Sequence, residues 1–313
     1  MEKLSITSND QTIATSVNEY LYKWSELKSL LKVGIINSNT MTAFAGFWLA
    51  LFYTGSSLNQ YWHILLVTLI GTAFVIGGGC VINNYYDRDI DQVMKRTKSR
   101  PSVTGTIELS HILIIGISLS VTGVLILMLA STQTALIGAM GWFSYVVLYT
   151  MWSKRRYTIN TAVGSLSGAI PPLIGWSAVD TNLHAISWVL FLLIFIWQTP
   201  HFLAIAMKKV DDYRDADIPM LPVIHGEQMT KRQMLVYIVC LLPIPFILHE
   251  LGVVFVILGT ILNIGWLALG IKGLFVKVKD NARWSNLMFM YSLLYLTVIF
   301  LSMIIITFPA NLL

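Results

Sequence analysis

The sequence predicts an all-α protein: a polytopic membrane helical bundle of about nine transmembrane helices, with its N-terminus in the cytoplasm. Three observations predict it. The 313 residues are 56% apolar and 12% charged, with a mean hydropathy of +0.69, which is too apolar for a soluble domain. A membrane span takes roughly 20 apolar residues, and such runs recur near 33–53, 62–82, 110–130, 134–152, 159–178, 185–206, 234–248, 252–271 and 287–307. All 21 Lys and Arg fall in five places, from Lys3 to Lys32 and within 88–100, 154–156, 208–232 and 272–283, while the connections between them have none. That bias is the positive-inside signature. The net charge of +5 is therefore a statement about topology and implies no nucleic-acid partner.

Residues 1–30 read as a cytoplasmic tail, with an amphipathic segment around Tyr20–Leu31, and residues 31–313 as a single transmembrane domain. The tail carries Glu2, Asp10, Glu19 and Glu26, no arginine and no short apolar core, which argues against a cleaved signal or transit peptide. The expected place is the plasma membrane of a bacterium, crossed many times. The first span holds Asn37, Asn39, Thr40 and Thr42, which are costly in lipid and should face the bundle interior. Gly77, Gly78 and Gly79 in the second either let helices approach closely or leave room for a bulky ligand. Gly164, Gly168, Pro171 and Pro172 predict a broken fifth span that lines a cavity, and Pro243 and Pro245 interrupt the seventh. The last three spans carry almost no ionisable residue and read as structural. Cys80 and Cys240 lie in apolar spans, a poor setting for a disulfide or a metal.

The chemistry is concentrated after the second span, in 83–100, which reads NNYYDRDIDQVMKRTKSR. On a continued helix Asn83, Asp87 and Asp91 drift by only about 40° per step of four and line one face, with Asn84 at its edge. Carboxylates one turn apart repel each other, and a divalent cation would offset that. A second acidic stretch follows the sixth span, where Gln198, His201, Asp212 and Asp215 fall within about 80° of one another if the helix continues. Asp211 is further off the His201 face.

Two opposed sets of oxygen donors suit Mg²⁺, which bridges one or two carboxylates to substrate phosphates. The candidate metal donors are Asn83, Asn84, Asp87, Asp91, Asp211, Asp212 and Asp215; Asn83, Asp87, Asp91 and Asp212 are the candidate catalytic set. Lys95, Arg96, Arg100, Lys154, Arg155, Lys208, Lys209 and Arg214 are candidates to neutralise a diphosphate. This layout fits a lipid diphosphate with its head at the cytoplasmic surface and its tail in the bundle. Loss of diphosphate would leave an allylic cation, which aromatic faces stabilise; Tyr85, Tyr86, Trp197 and Phe202 are candidate walls.

These residues resemble the UbiA-type intramembrane prenyltransferases, whose first motif has the form NDxxDxxxD. Here it stands as Asn83-Asn84-Tyr85-Tyr86-Asp87-Arg88-Asp89-Ile90-Asp91, with Asn84 in place of the first Asp. The stretches YTMWSKRR…NT…GAIPPLIGW and WQTPHF…DDYRDADIPMLPV are similar to the heme-modifying branch of that family, over roughly residues 30–308. The resemblance implies a UbiA-type fold, Mg²⁺ as cofactor, farnesyl diphosphate as donor and heme b as acceptor. It also implies an active site facing the cytoplasm, with His201 a candidate heme contact. The product would be handed to a heme A synthase or to heme–copper oxidase assembly. The competing readings are prenylation of an aromatic quinone precursor, a secondary transporter and a non-catalytic scaffold. A transporter would place its ionisable residues and broken helices near the bilayer midplane, whereas these carboxylates lie at span ends.

Overall fold

In the computed structural model, residues 24–275 and 281–311 are described. Residues 1–23 of the expected tail, and Lys277 and Lys279 of the last basic loop, lie outside these. Among the described residues every regular element is helical. Residues 24–31, of which 24–30 were counted with the tail in the sequence, form a helix, and Leu30 is fully buried. The chain turns at Lys32, in the left-handed region at φ 54°, into α1 (Val33–Thr54).

Gly55 ends α1 at φ 65°, donating its N–H to Leu51 and Phe52; a glycine takes that conformation without a Cβ penalty. The second helix, α2 (Leu58–Tyr86), has 29 residues. At about 1.5 Å per residue it is about 44 Å long, longer than the roughly 30 Å hydrocarbon layer, so its polar last turns reach past the apolar layer. Two short helices follow, α3 (Arg88–Val93) and α4 (Pro101–Thr104), then α5 (Leu109–Met128) and α6 (Thr132–Phe143). The last runs into a π-helix, Ser144–Ser153. Small residues bring α2 and α5 together: a Cβ on Gly78 would lie 2.3 Å from Ser120 Oγ, and one on Gly123 would lie 2.6 Å from the Val75 nitrogen.

The expected fifth span is two half-helices, α7 (Asn160–Ala169) and α8 (Pro171–Ser177). Among the described residues eight helices are long and apolar enough to cross a membrane, and the broken fifth span accounts for the difference from the nine expected. Pro171 and Pro172 carry no amide proton and so interrupt the ladder. The next long helix is α9 (Ala185–Lys208), followed by α10 (Val210–Asp215) and α11 (Leu221–Ile224). Then come α12 (Gly226–Leu241), α13 (Ile244–Ile247), α14 (Val253–Leu274) and α15 (Asn281–Asn311). The helix α12 starts at Gly226, earlier than the expected 234. Its break near Pro243 and Pro245 leaves the Leu241 carbonyl without its usual i+4 amide partner, and Asn263 Nδ2 donates to that carbonyl at 2.9 Å. The largest apolar core joins α9, α12, α14 and α15 around Trp197, Trp266, Phe255 and Tyr295.

The half-helix α8 packs on α1 with backbone against backbone. A Cβ on Gly175 would lie 1.9 Å from the Ala43 carbonyl oxygen, whereas one on Gly34 meets nothing within 4 Å. Gly175→Ala should therefore lower unfolding stability in detergent by about 1–3 kcal/mol, the cost of overpacking, and Gly34→Ala should melt no earlier than the parent protein.

Candidate functional site

The helical register survives the end of α2. Asp87 leaves helical dihedrals (φ −87°, ψ 4°), yet its N–H still bonds the Asn83 carbonyl at 2.9 Å and the Asp91 N–H bonds the Asp87 carbonyl at 2.9 Å. Asn83, Asp87 and Asp91 thus stay on one face, and all three are buried. Buried carboxylates need partners, and these come from elsewhere in the chain. Lys154 and Arg155 both pair with Asp87, Arg100 pairs with Asp91 at 2.5 Å, and Lys32 donates to Asn83 Oδ1. Asn83 Nδ2 in turn donates to Asp87 Oδ2 at 2.7 Å and to Thr150 Oγ1 at 3.0 Å.

The π-helix puts Thr150 and Lys154 there. Lys154 N–H bonds the Tyr149 carbonyl, five residues back, at 2.9 Å. Within it Tyr145 stacks on Tyr149 at 5.9 Å. Glycines make room for these rings: a Cβ would come within 3.1 Å of Tyr145 at Gly79 and of Tyr149 at Gly164. Of the three adjacent glycines in α2, Gly78 closes a helix contact and Gly79 clears the cavity.

One cavity of about 1000 Å³ lies under this cluster. Its polar mouth includes Lys32, Asn83, Asp91, Arg96, Arg100 and Lys154, and Lys208, Lys209 and Tyr213 face it from the second stretch. The two stretches touch: Met94 and Ile90 pack against Ala206, Ala216, Ile218 and Met220. Deeper in, the walls are Tyr145, Tyr149, Trp197, His201, Phe202 and Phe289. His201 stacks on Trp197 at 4.7 Å, and its Nδ1 is 2.7 Å from Ser292 Oγ. Ser292 spends its single hydroxyl proton on the Phe289 carbonyl, 2.5 Å away. Nδ1 must then be the donor, which leaves Nε2 as the lone-pair nitrogen.

Several sequence candidates lie away from these walls. Asn84 is buried and donates to the Leu30 carbonyl at 2.8 Å. Asp211 is exposed and pairs with Arg214 at 2.6 Å. Asp215 and Lys95 are exposed. Asp212 is buried, next to the cavity-lining Tyr213. The second register is not continuous: Lys209 leaves the helix at φ −121°, ψ 27°, so the angular count from His201 does not carry through to α10. Arg155 holds Asp89 through 2.6 and 2.7 Å contacts, and these bonds keep the Asp89 carboxyl below its ordinary range. Tyr85 and Tyr86 carry Arg88 and Arg155 over their rings at 5.0 and 4.9 Å and lie outside the walls. Lys28, Lys32, Tyr145, Tyr149 and Thr150 were not sequence candidates. Desolvation, then Arg100, pushes the Lys32 ammonium down to about 8.

A model of the UbiA prenyltransferase family matches residues 39–293. The chain belongs to the UbiA prenyltransferase family. It is similar to protoheme IX farnesyltransferase of Geobacillus thermodenitrificans (strain NG80-2), 54% identical over 284 residues, covering 91% of this chain and 92% of that protein. It is also similar to protoheme IX farnesyltransferase 2 of Bacillus velezensis, 53% identical over 299 residues, covering 96% and 97%. Two solved structures share the fold. One is a digeranylgeranylglyceryl phosphate synthase, with TM-score 0.71 and 17% identity, covering 92% of this chain and 99% of that one. The other is a UbiA homolog from Archaeoglobus fulgidus bound to GPP and Mg²⁺, with TM-score 0.62 and 15% identity, covering 87% and 99%.

In this UbiA family member the donors at the mouth are hard oxygens, and no group of three or more His, Cys, Asp or Glu side chains gathers among the described residues. That donor set fits a Mg²⁺ ion held by one or two carboxylates and completed by phosphate oxygens. Removing a partner from a buried ion pair leaves a costly orphan charge. Lys154→Met should lower stability by about 2–3 kcal/mol, since Arg155 remains near Asp87. Adding Asp87→Asn should recover most of the loss in denaturant titrations. A double variant less stable than Lys154→Met would contradict this pairing.

Proposed function

We propose that this chain transfers the farnesyl group of farnesyl diphosphate to a vinyl group of heme b, with addition of water, giving heme O and diphosphate. The observation that carries the reading is the one cavity with two chemistries: a cationic, oxygen-donor mouth above an aromatic chamber walled by His201. The near-full-length likeness to proteins named protoheme IX farnesyltransferase supports the choice of acceptor.

Asn83, Asp87 and Asp91 are the residues that would hold Mg²⁺, with Asp212 approaching from the second stretch. The metal's chemistry is to stabilise negative charge on the departing diphosphate. Arg96, Arg100, Lys154 and Lys209 hold the diphosphate oxygens, so the electron pair of the breaking C1–O bond leaves onto a neutralised group. Tyr145, Tyr149 and Trp197 present faces to the allylic cation and exclude water until the vinyl carbon has attacked C1. The new cation, on the carbon next to the macrocycle, takes water and loses a proton. His201 offers Nε2 to the heme iron, with Ser292 fixing the tautomer.

The protein is a multi-pass protein of a bacterial membrane. The positive-inside bias supports a cytoplasmic N-terminus and a cytoplasmic mouth. Transfer of heme O onward fits a heme A synthase or heme–copper oxidase assembly as partner.

Membranes containing the protein, given heme b, farnesyl diphosphate and Mg²⁺, should yield a farnesylated, hydrated heme by mass spectrometry. Unchanged heme, or product only when 4-hydroxybenzoate is the acceptor, would overturn the reading. Asp87→Ala and Asp91→Ala should each abolish turnover in folded protein. His201→Ala should weaken heme binding in an absorbance titration, and an unchanged affinity would remove the iron contact.

A further inference from the structure

We propose that Asn84 is a positioning residue whose amide straps residues 24–31 across the cavity mouth, and that Lys32, delivered by this strap, is a contact for the diphosphate. The proposal rests on the reading that the mouth takes a prenyl diphosphate.

Asn84 sits within the metal-binding motif by sequence but is used differently. It is fully buried, its Nδ2 donates to the Leu30 carbonyl at 2.8 Å, and its Oδ1 has no hydrogen-bond partner. Only the N–H side of the amide is engaged. An aspartate here would set a carboxylate against a carbonyl with no proton between them, so this strap requires the amide that replaces the motif's first Asp. Leu30 is fully buried against Val81 and Ile112, and in such apolar surroundings one hydrogen bond is a strong constraint.

The strap ends at Lys32, a non-glycine residue at φ 54°, a conformation that persists only where its surroundings enforce it. Lys28, on the strap, and Lys32, at the turn, both line the cavity. Lys32 Nζ donates to Asn83 Oδ1, an oxygen that would otherwise be open to a metal ion. With that oxygen taken by a metal ion, the same ammonium lies free beside the diphosphate. Lys154 and Arg100 already face the mouth from other elements, so Lys32 completes a ring of cations around it.

The test uses the full chain in detergent, with inorganic pyrophosphate plus Mg²⁺ as the probe and hydrogen exchange of 24–32 as a second readout. Lys32→Ala should weaken pyrophosphate binding about tenfold or more, the scale of one charge-assisted hydrogen bond. It should raise KM for farnesyl diphosphate while leaving heme affinity unchanged, and Lys32→Arg should restore most of the loss. Asn84→Asp should speed exchange across 24–32 and weaken pyrophosphate binding to a similar degree, and adding Lys32→Ala to it should cost little more. Should Asn84→Asp fail to fold, Asn84→Ser, which is neutral and too short to reach Leu30, carries the same expectation. Unchanged pyrophosphate affinity in Lys32→Ala, or unchanged exchange in Asn84→Ser, overturns the proposal while heme O formation by the parent protein still stands. A parent protein that binds no pyrophosphate overturns the functional reading itself.

Discussion

Everything at the mouth depends on one constraint: Asp87 and Asp91 are buried, and buried carboxylates must be neutralised. The cations that do so arrive from three separate parts of the chain. Lys154 and Arg155 come from the end of the π-helix, Arg100 from the start of α4, and Lys32, through Asn83, from the start of α1. The same charges that hold these elements together are those a diphosphate would recruit. On the proposed function, stability and substrate binding would draw on one set of ion pairs.

The irregular elements follow from that arrangement. A regular α-helix through 144–153 would turn Thr150 and Lys154 away from where they now meet Asn83 and Asp87, and π segments recur at functional sites. The break at Pro171 separates α7, whose Gly164 and Gly168 face Tyr149 and Gln198, from α8, which closes on α1. One half-helix shapes the cavity and the other packs the bundle. In a membrane such breaks are tolerated because neighbouring groups satisfy the freed backbone, as Asn263 does for Leu241.

Hydropathy and charge made the helical class and most of the spans legible, because length and the positive-inside bias are one-dimensional properties of the chain. The face shared by Asn83, Asp87 and Asp91 was legible too, since its i, i+4 bonds survive the kink at Asp87. The count that grouped His201 with Asp212 and Asp215 assumed a continuous helix, and Lys209 breaks it. Asn84 reads as a metal donor from its place in the motif; its backbone partner Leu30 lies 54 residues away, beyond the reach of any local pattern. Tyr145 and Tyr149 share a helix face by their spacing, but nothing in the sequence says that this face lines the cavity. Lys32 was counted as topological charge, and its left-handed turn leaves no mark in its residue type.

The central claim is that the ends of α2 and α9 serve one diphosphate and its metal at a shared mouth. The most direct measurement is an anomalous difference map from crystals grown with Mn²⁺ and an unreactive farnesyl diphosphate analogue. The account predicts a metal peak in the cavity mouth at coordination distance, about 2.1 Å, from oxygens of the Asn83, Asp87 and Asp91 set, with the diphosphate between it and Lys209. A peak outside the cavity, or a diphosphate bound at only one of the two helix ends, would contradict it.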